Sequence, residues 1–169
     1  MSGPRLSLRP LAALAPLATA LCLSGALAGC GPPCGPSEGV IASVIDGDTV
    51  SLESGEVVRL LMVDTPEVGA DAECFSAEAL RFTRDLALGS PVRLRYDQVC
   101  TDRFDRLLAY VEVAGRDLNR LLVERGYACV LHIPPNGDSE LDAFEALESS
   151  ARDAGRGLWG SCDPLPCGP

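Results

Sequence analysis

The sequence predicts an α+β fold, a small five-stranded Greek-key β-barrel with about three helices. Two observations point there. Three β-rich apolar runs follow one another at hairpin spacing in the first part of the domain. The later strands are then interleaved with helical patterns, but without the regular strand-helix alternation that a doubly wound parallel sheet requires.

The elements follow in order. Val40 to Val44 and Val50 to Glu53 flank an Asp46-Gly47-Asp48-Thr49 turn, and Ser54-Gly55 forms a second hairpin turn into Val57 to Val63. Phe75, Ala79, Phe82 and Leu86 recur at helical spacing, with Asp71 or Ser76 as N-cap and Gly89 as the stop. Val92 to Tyr96 alternates apolar residues with arginines, as a half-buried strand does. Leu107 to Val113 is a further strand, followed by an Ala114-Gly115 turn and a short helix from Asp117 to Arg125 that ends at Gly126. Tyr127 to Ile133 is the last apolar strand. Beyond the Pro134-Pro135-Asn136-Gly137 loop, Leu141, Phe144, Leu147 and Ala151 mark a final helix stopped by Gly155, and Trp159 follows it.

Residues 1–29 read as a leader rather than as part of the fold. Arg5 and Arg9 precede an apolar run from Leu11 to Ala28, and a Leu27-Ala28-Gly29-Cys30 box closes it. The pattern resembles a bacterial lipoprotein signal peptide, which makes Cys30 the acylated N-terminus of an exported, membrane-anchored protein at the cell envelope; plain secretion is the simpler alternative. Residues 30–38 then form the anchor and a Pro-rich spacer, 39–160 the domain, and 161–169 a Cys- and Pro-rich tail.

Without Arg5 and Arg9, the 14 basic residues become 12 against 24 acidic ones, a net charge of about −12, and every basic residue is arginine. Such a chain is a poor non-specific ligand for nucleic acid. Any phosphate chemistry must depend on a few local arginines and a metal. Cys34, Cys74, Cys100, Cys129, Cys162 and Cys167 form an even set that reads as disulfides in an oxidising compartment. Six cysteines allow fifteen connectivities. The two Pro-Cys-Gly-Pro tetrapeptides make a bond between Cys34 and Cys167, tying the tails, one candidate among them. A zinc site is weak, because there is no Cys-x-x-Cys pair and His132 is the single histidine, a residue type more often structural than a ligand.

Chemistry concentrates between Ile45 and Glu67. Asp46 and Asp48 sit in a glycine turn, Asp64 and Glu67 straddle Thr65-Pro66, and Arg59 lies among them. Each has a structural explanation alone, as turn or strand-exit chemistry. Carboxylates brought together need a neutralising cation, and hard oxygen donors suit Ca²⁺ or Mg²⁺. Residues five apart on an unbroken strand face opposite ways, so Arg59 and Asp64 converge only if the chain bulges or turns between them. A second stretch, Thr101 to Tyr110, sets Arg103 and Arg106 beside Asp102 and Asp105; its simplest account is a polar loop whose charges pair at the surface.

In order and spacing, DGDTV, RLLMVDTPE, TDRFDRLLAYV and the late GLW resemble the thermonuclease family, typified by staphylococcal nuclease, over nearly all of residues 39 to 160. The resemblance implies a barrel of the oligonucleotide-binding type and Ca²⁺-dependent hydrolysis of DNA and RNA; a monomer is the default for so small a barrel enzyme. It implies metal ligation by the Asp48 and Asp64 carboxylates and the Thr65 main-chain carbonyl, phosphate binding by Arg59 and Arg106, and activation of the attacking water by Glu67. Departures from the family pattern are a short loop from Val68 to Glu73 without lysines, Asp105 where glycine is common, and Phe104 where tyrosine often sits. The alternative is a non-catalytic nucleic-acid or protein-binding module on the same barrel.

Overall fold

Val50, Leu52, Val58 and Leu60 fall on alternate positions of neighbouring short strands, and each is at most 2% exposed. That alternation puts one face of each strand into a shared core. The computed structural model describes residues 34–167; the leader and Cys30 lie outside the described residues. β1 (Glu38–Val44), β2 (Thr49–Leu52) and β3 (Val57–Leu60) form an antiparallel meander, followed by a three-residue strand, β4 (Met62–Asp64). β5 (Pro91–Thr101) pairs antiparallel with β1, and β6 (Leu107–Val113) with β5. A parallel pairing of β3 with β6 closes the ring, so the five strands β3-β2-β1-β5-β6 make a closed mixed barrel, as expected. β7 (Arg116–Asp117) extends β6 at the edge, and β8 (Cys129–Leu131) pairs with β4 as a separate ribbon.

The helices are α1 (Ser76–Ala87), α2 (Leu118–Glu124), α3 (Leu141–Asp153) and a single turn, α4 (Leu158–Ser161). Asp117 caps α2 by accepting from the Arg120 amide at 2.9 Å. Neither Asp71 nor Ser76 caps α1. The N-cap is Phe75, in a left-handed conformation with no side-chain cap, and its ring stacks on Tyr127 at 5.6 Å. Ser76 is the first helical residue, and Asp71 lies in the preceding loop.

Three boundaries differ from expectation. The run Val57 to Val63 is two strands separated at Leu61, the last strand shrinks to Cys129–Leu131, and β5 continues five residues past Tyr96. The disulfides are Cys34–Cys100, Cys74–Cys162 and Cys129–Cys167, which corrects the candidate bond between Cys34 and Cys167. The N-terminal tail is tied to β5 of the barrel and the C-terminal tail to β8, instead of to each other. Residues before β1 already pack there, with the Tyr96 hydroxyl donating to the Pro36 carbonyl at 2.8 Å.

Candidate active site

The turn between β1 and β2 presents Asp48 inward. Asp46 Oδ1 accepts from the Asp48 amide at 3.0 Å, a local side-chain turn that holds the loop shape. Gly47 must be glycine, because a Cβ there would lie 2.6 Å from Thr65 Cγ2. From α1, the fully buried Thr83 hydroxyl donates to the Gly47 carbonyl at 2.6 Å. Asp48 itself is 4% exposed. Its Oδ2 accepts from the Thr65 amide at 2.7 Å and the Thr65 hydroxyl at 3.0 Å, and its Oδ1 accepts from the Thr49 hydroxyl at 3.1 Å.

The required turn between Arg59 and Asp64 falls at Leu61-Met62. Leu61 donates its amide to the Ala109 carbonyl at 3.0 Å, and Met62 takes a left-handed φ of 66°. The reversal brings Arg59 NH2 to 2.9 Å from Asp64 Oδ1 and NH1 to 2.7 Å from the Val63 carbonyl. NH1 also lies 3.1 Å from Asp48 Oδ1, so one guanidinium bridges both carboxylates. Asn119, fully buried on α2, holds the reversal in place. Its amide nitrogen donates to Leu61 O at 2.8 Å and Ala109 O at 3.3 Å, while its oxygen accepts from Val111 N at 3.0 Å. Sequence reading passed over Asn119 and Thr83, although each is a polar residue on the apolar stripe of its helix.

Burial, partly offset by Arg59 and reinforced by Asp46, pushes the Asp48 carboxyl up to about 7. Burial likewise raises Asp64; Arg59 opposes this, and Glu73 and Asp46 add to it. Arg59 is thus shared by two carboxylates, Asp48 and Asp64. Among the described residues no three His, Cys, Asp or Glu side chains form a metal cluster, so the donors offered to a cation are a carboxylate pair and neighbouring carbonyls. Hard oxygens of this kind fit a divalent cation.

Arg106 closes the turn between β5 and β6. Asp102 Oδ1 accepts from the Phe104 amide at 2.8 Å and the Arg106 amide at 3.1 Å, and Asp102 Oδ2 accepts from Arg106 Nε at 2.7 Å. Burial works against ionisation of Asp102, but these hydrogen bonds outweigh it and hold its carboxyl below the usual range. Asp105 adopts φ 61°, the left-handed conformation that favours glycine and that Asp tolerates. The surface pairing of Arg106 with Asp102 is therefore present.

Arg59 and Arg106 nevertheless line one cavity of about 560 Å³, with Val99, Phe104, Leu131 and Ile133 around it. Its far wall is pinned by Asn136, which accepts from Val99 N at 2.7 Å and donates to Val99 O at 2.8 Å. His132 pairs with Asp138 at 2.8 Å, in keeping with a structural role. Asp48, Arg59, Asp64 and Thr65 thus form one contact network, and Arg106 shares a cavity with Arg59. Glu67 stands on the exposed loop beyond Pro66 and does not line that cavity.

A family model described as Staphylococcal nuclease homologue matches residues 57–161, a span holding every candidate residue of the domain except Asp48. The chain is 32% identical over 126 residues to Thermonuclease of Staphylococcus intermedius, covering 71% of this chain and 74% of that protein. It is 33% identical over 137 residues to an uncharacterized endonuclease of Escherichia coli O157:H7, covering 79% and 84%. To Endonuclease YncB of Bacillus subtilis (strain 168) it is 30% identical over 122 residues, and it spans only 58% of that protein.

Proposed function

The chain belongs to the staphylococcal nuclease homologue family, and from that premise we propose that it is a calcium-dependent endonuclease hydrolysing phosphodiester bonds of DNA and RNA. The observation that carries this reading is the convergence of Arg59 and Arg106 on one cavity, with Arg59 bridging the buried Asp48 carboxylate and the half-exposed Asp64 carboxylate. Asp48 and Asp64, with the Thr65 carbonyl, would hold Ca²⁺. Bound there, it would supply Lewis-acid polarisation of a phosphate oxygen. The two guanidiniums pair with the phosphate and follow the charge that builds up in the transition state. Glu67 takes the proton of the attacking water on its carboxylate. The apolar rim around Phe104 and Ile133, 63% and 64% exposed, gives the sugar and base a surface to rest on.

The ion pair between Arg106 and Asp102 supports a second reading, a binding module whose arginines are only structural. Cleavage of a short oligonucleotide, with Ca²⁺ and with a chelator, separates the two. Turnover should require Ca²⁺. Arg106→Ala should lose about a hundredfold or more in rate, equivalent to about 2.7 kcal/mol, while changing folding stability by less than about 1 kcal/mol. Arg106→Lys should rescue poorly, since a point charge does not reproduce the planar fork. A folded Arg106→Ala protein cutting at the wild-type rate would leave the binding-module reading. We further place the enzyme outside the cytoplasm as a monomer anchored through Cys30, a reading supported by the leader and by three disulfides in the domain.

A further inference from the structure

Glu67 is exposed and sits on a loop with no strand or helix to hold it, yet a general base must keep a defined position relative to the water it activates. Six residues on, the chain returns to it. The Glu67 amide donates to Glu73 Oε2 at 2.8 Å, and the Glu73 amide donates to the Glu67 carbonyl at 2.9 Å. One residue therefore engages both backbone polar groups of the other, closing the loop on Glu67 itself.

An exposed carboxylate bonded to an amide competes with water, so a clamp of this kind holds only if its far end is anchored. Here it is. Cys74, the next residue, is disulfide-bonded to Cys162 just past α4, and the Glu73 carbonyl accepts from the Ser76 amide at 3.2 Å where α1 begins. At the other end of the loop, Thr65 is fastened to Asp48 by two hydrogen bonds. The segment carrying Glu67 is thus tied on both sides, with the clamp on its backbone amide and carbonyl.

We propose that Glu73 is the positioning residue for Glu67, and that the Cys74–Cys162 bond is the strap that makes its clamp effective. The proposal rests on Glu67 being the general base. It assigns Glu73 no contact with substrate. Its carboxylate acts as an acceptor, so glutamine, which keeps an oxygen in the same place, should serve nearly as well, whereas alanine should not.

The test compares Glu73→Ala, Glu73→Gln and the double variant Cys74→Ala/Cys162→Ala in the full domain. Amide exchange at Glu67 is followed by NMR without metal, and kcat and KM are measured on an oligonucleotide with Ca²⁺. Glu73→Ala should speed Glu67 amide exchange and lower kcat, each by about tenfold or more, with KM held within about twofold. Glu73→Gln should restore both, and the disulfide variant should show the alanine pattern. In a Glu67→Gln background, Glu73→Ala should cause no further loss. Unchanged exchange in Glu73→Ala, or an equal fall in kcat with and without Glu67, would overturn the proposal. If Glu67→Gln cuts as fast as wild type, the catalytic reading fails instead, and the exchange measurement still decides whether the clamp exists.

Discussion

Asp48 is the residue on which structure and chemistry press hardest against each other. Burial, only partly offset by Arg59 and reinforced by Asp46, pushes its carboxyl up to about 7, against 3.8 for an ordinary aspartate. The sign of the consequence follows from linkage. Between about pH 4 and 7 the folded chain keeps a proton that the unfolded chain has lost, so without a cation this group makes the fold less stable as pH rises through that window. Asp48→Asn cannot ionise and should lose that decline. Denaturant melts in chelator at pH 4.5 and 7.5 should therefore show the variant gaining on wild type as pH rises. Added Ca²⁺ at pH 7.5 should stabilise wild type and leave Asp48→Asn unmoved. Parallel pH profiles for the two proteins would show that Asp48 does not carry the buried charge assigned to it.

At the scale of elements, Asn119→Ala should be among the most damaging polar substitutions in the domain. It leaves the Val111 amide and the Leu61 carbonyl without that partner and removes one of the two hydrogen bonds to the Ala109 carbonyl, at a site with no exposure. The expected loss is about 2–4 kcal/mol in a denaturant melt, and Asn119→Asp should fare no better, because a carboxylate cannot donate to two carbonyls. A loss under about 1 kcal/mol would mean that β3 and β4 hold their reversal without α2. That reversal also marks the limit of what sequence reveals. The meander was legible because Asp-Gly and Ser-Gly turns separate β-rich runs, and the need for a break between Arg59 and Asp64 was legible from strand parity. Its position was not, since methionine at positive φ has no local signature and is imposed by Asn119 and Ala109 from distant elements. The far end of β5 was hidden for a similar reason. Asp97, Gln98 and Val99 break the apolar alternation because they bond outward to the 135–137 loop instead of facing the core. The helix start at Phe75 was missed because an aromatic stack on Tyr127, not a side-chain cap, fixes it. Of the site, Asp48, Arg59, Asp64 and Thr65 were legible as a group and Asp102 or Asp105 as the partner of Arg106, whereas the choice of Asp102 and the clamp on Glu67 required the loops in three dimensions.

Across the whole molecule, the disulfides join stretches that the barrel alone leaves loosely tied, and each has one end close to a candidate site residue in the ladder or along the chain. Cys129 stands opposite Asp64 in the ladder of β4 with β8 and bonds to the C-terminal tail. Cys100 precedes the loop of Arg106, and Cys74 follows the loop of Glu67. Bonds spanning 66, 88 and 38 residues each remove freedom from the unfolded chain, for about 2–4 kcal/mol apiece. Stability and compartment are thereby coupled. The full chain, exported from a bacterial host, should carry no free thiols in the domain and should partition into detergent, and Cys30→Ser should remain as uncut precursor without that acyl-dependent partition. The same domain made without its leader in a reducing cytoplasm should melt at lower denaturant, and oxidation should restore it. Removing Cys34 and Cys100 together should lower stability by about 2–4 kcal/mol under oxidising conditions and have little effect on the reduced protein. Free thiols in the exported form, or equal melts for oxidised and reduced protein, would show that the fold holds its site without the bonds and that export is not what completes it.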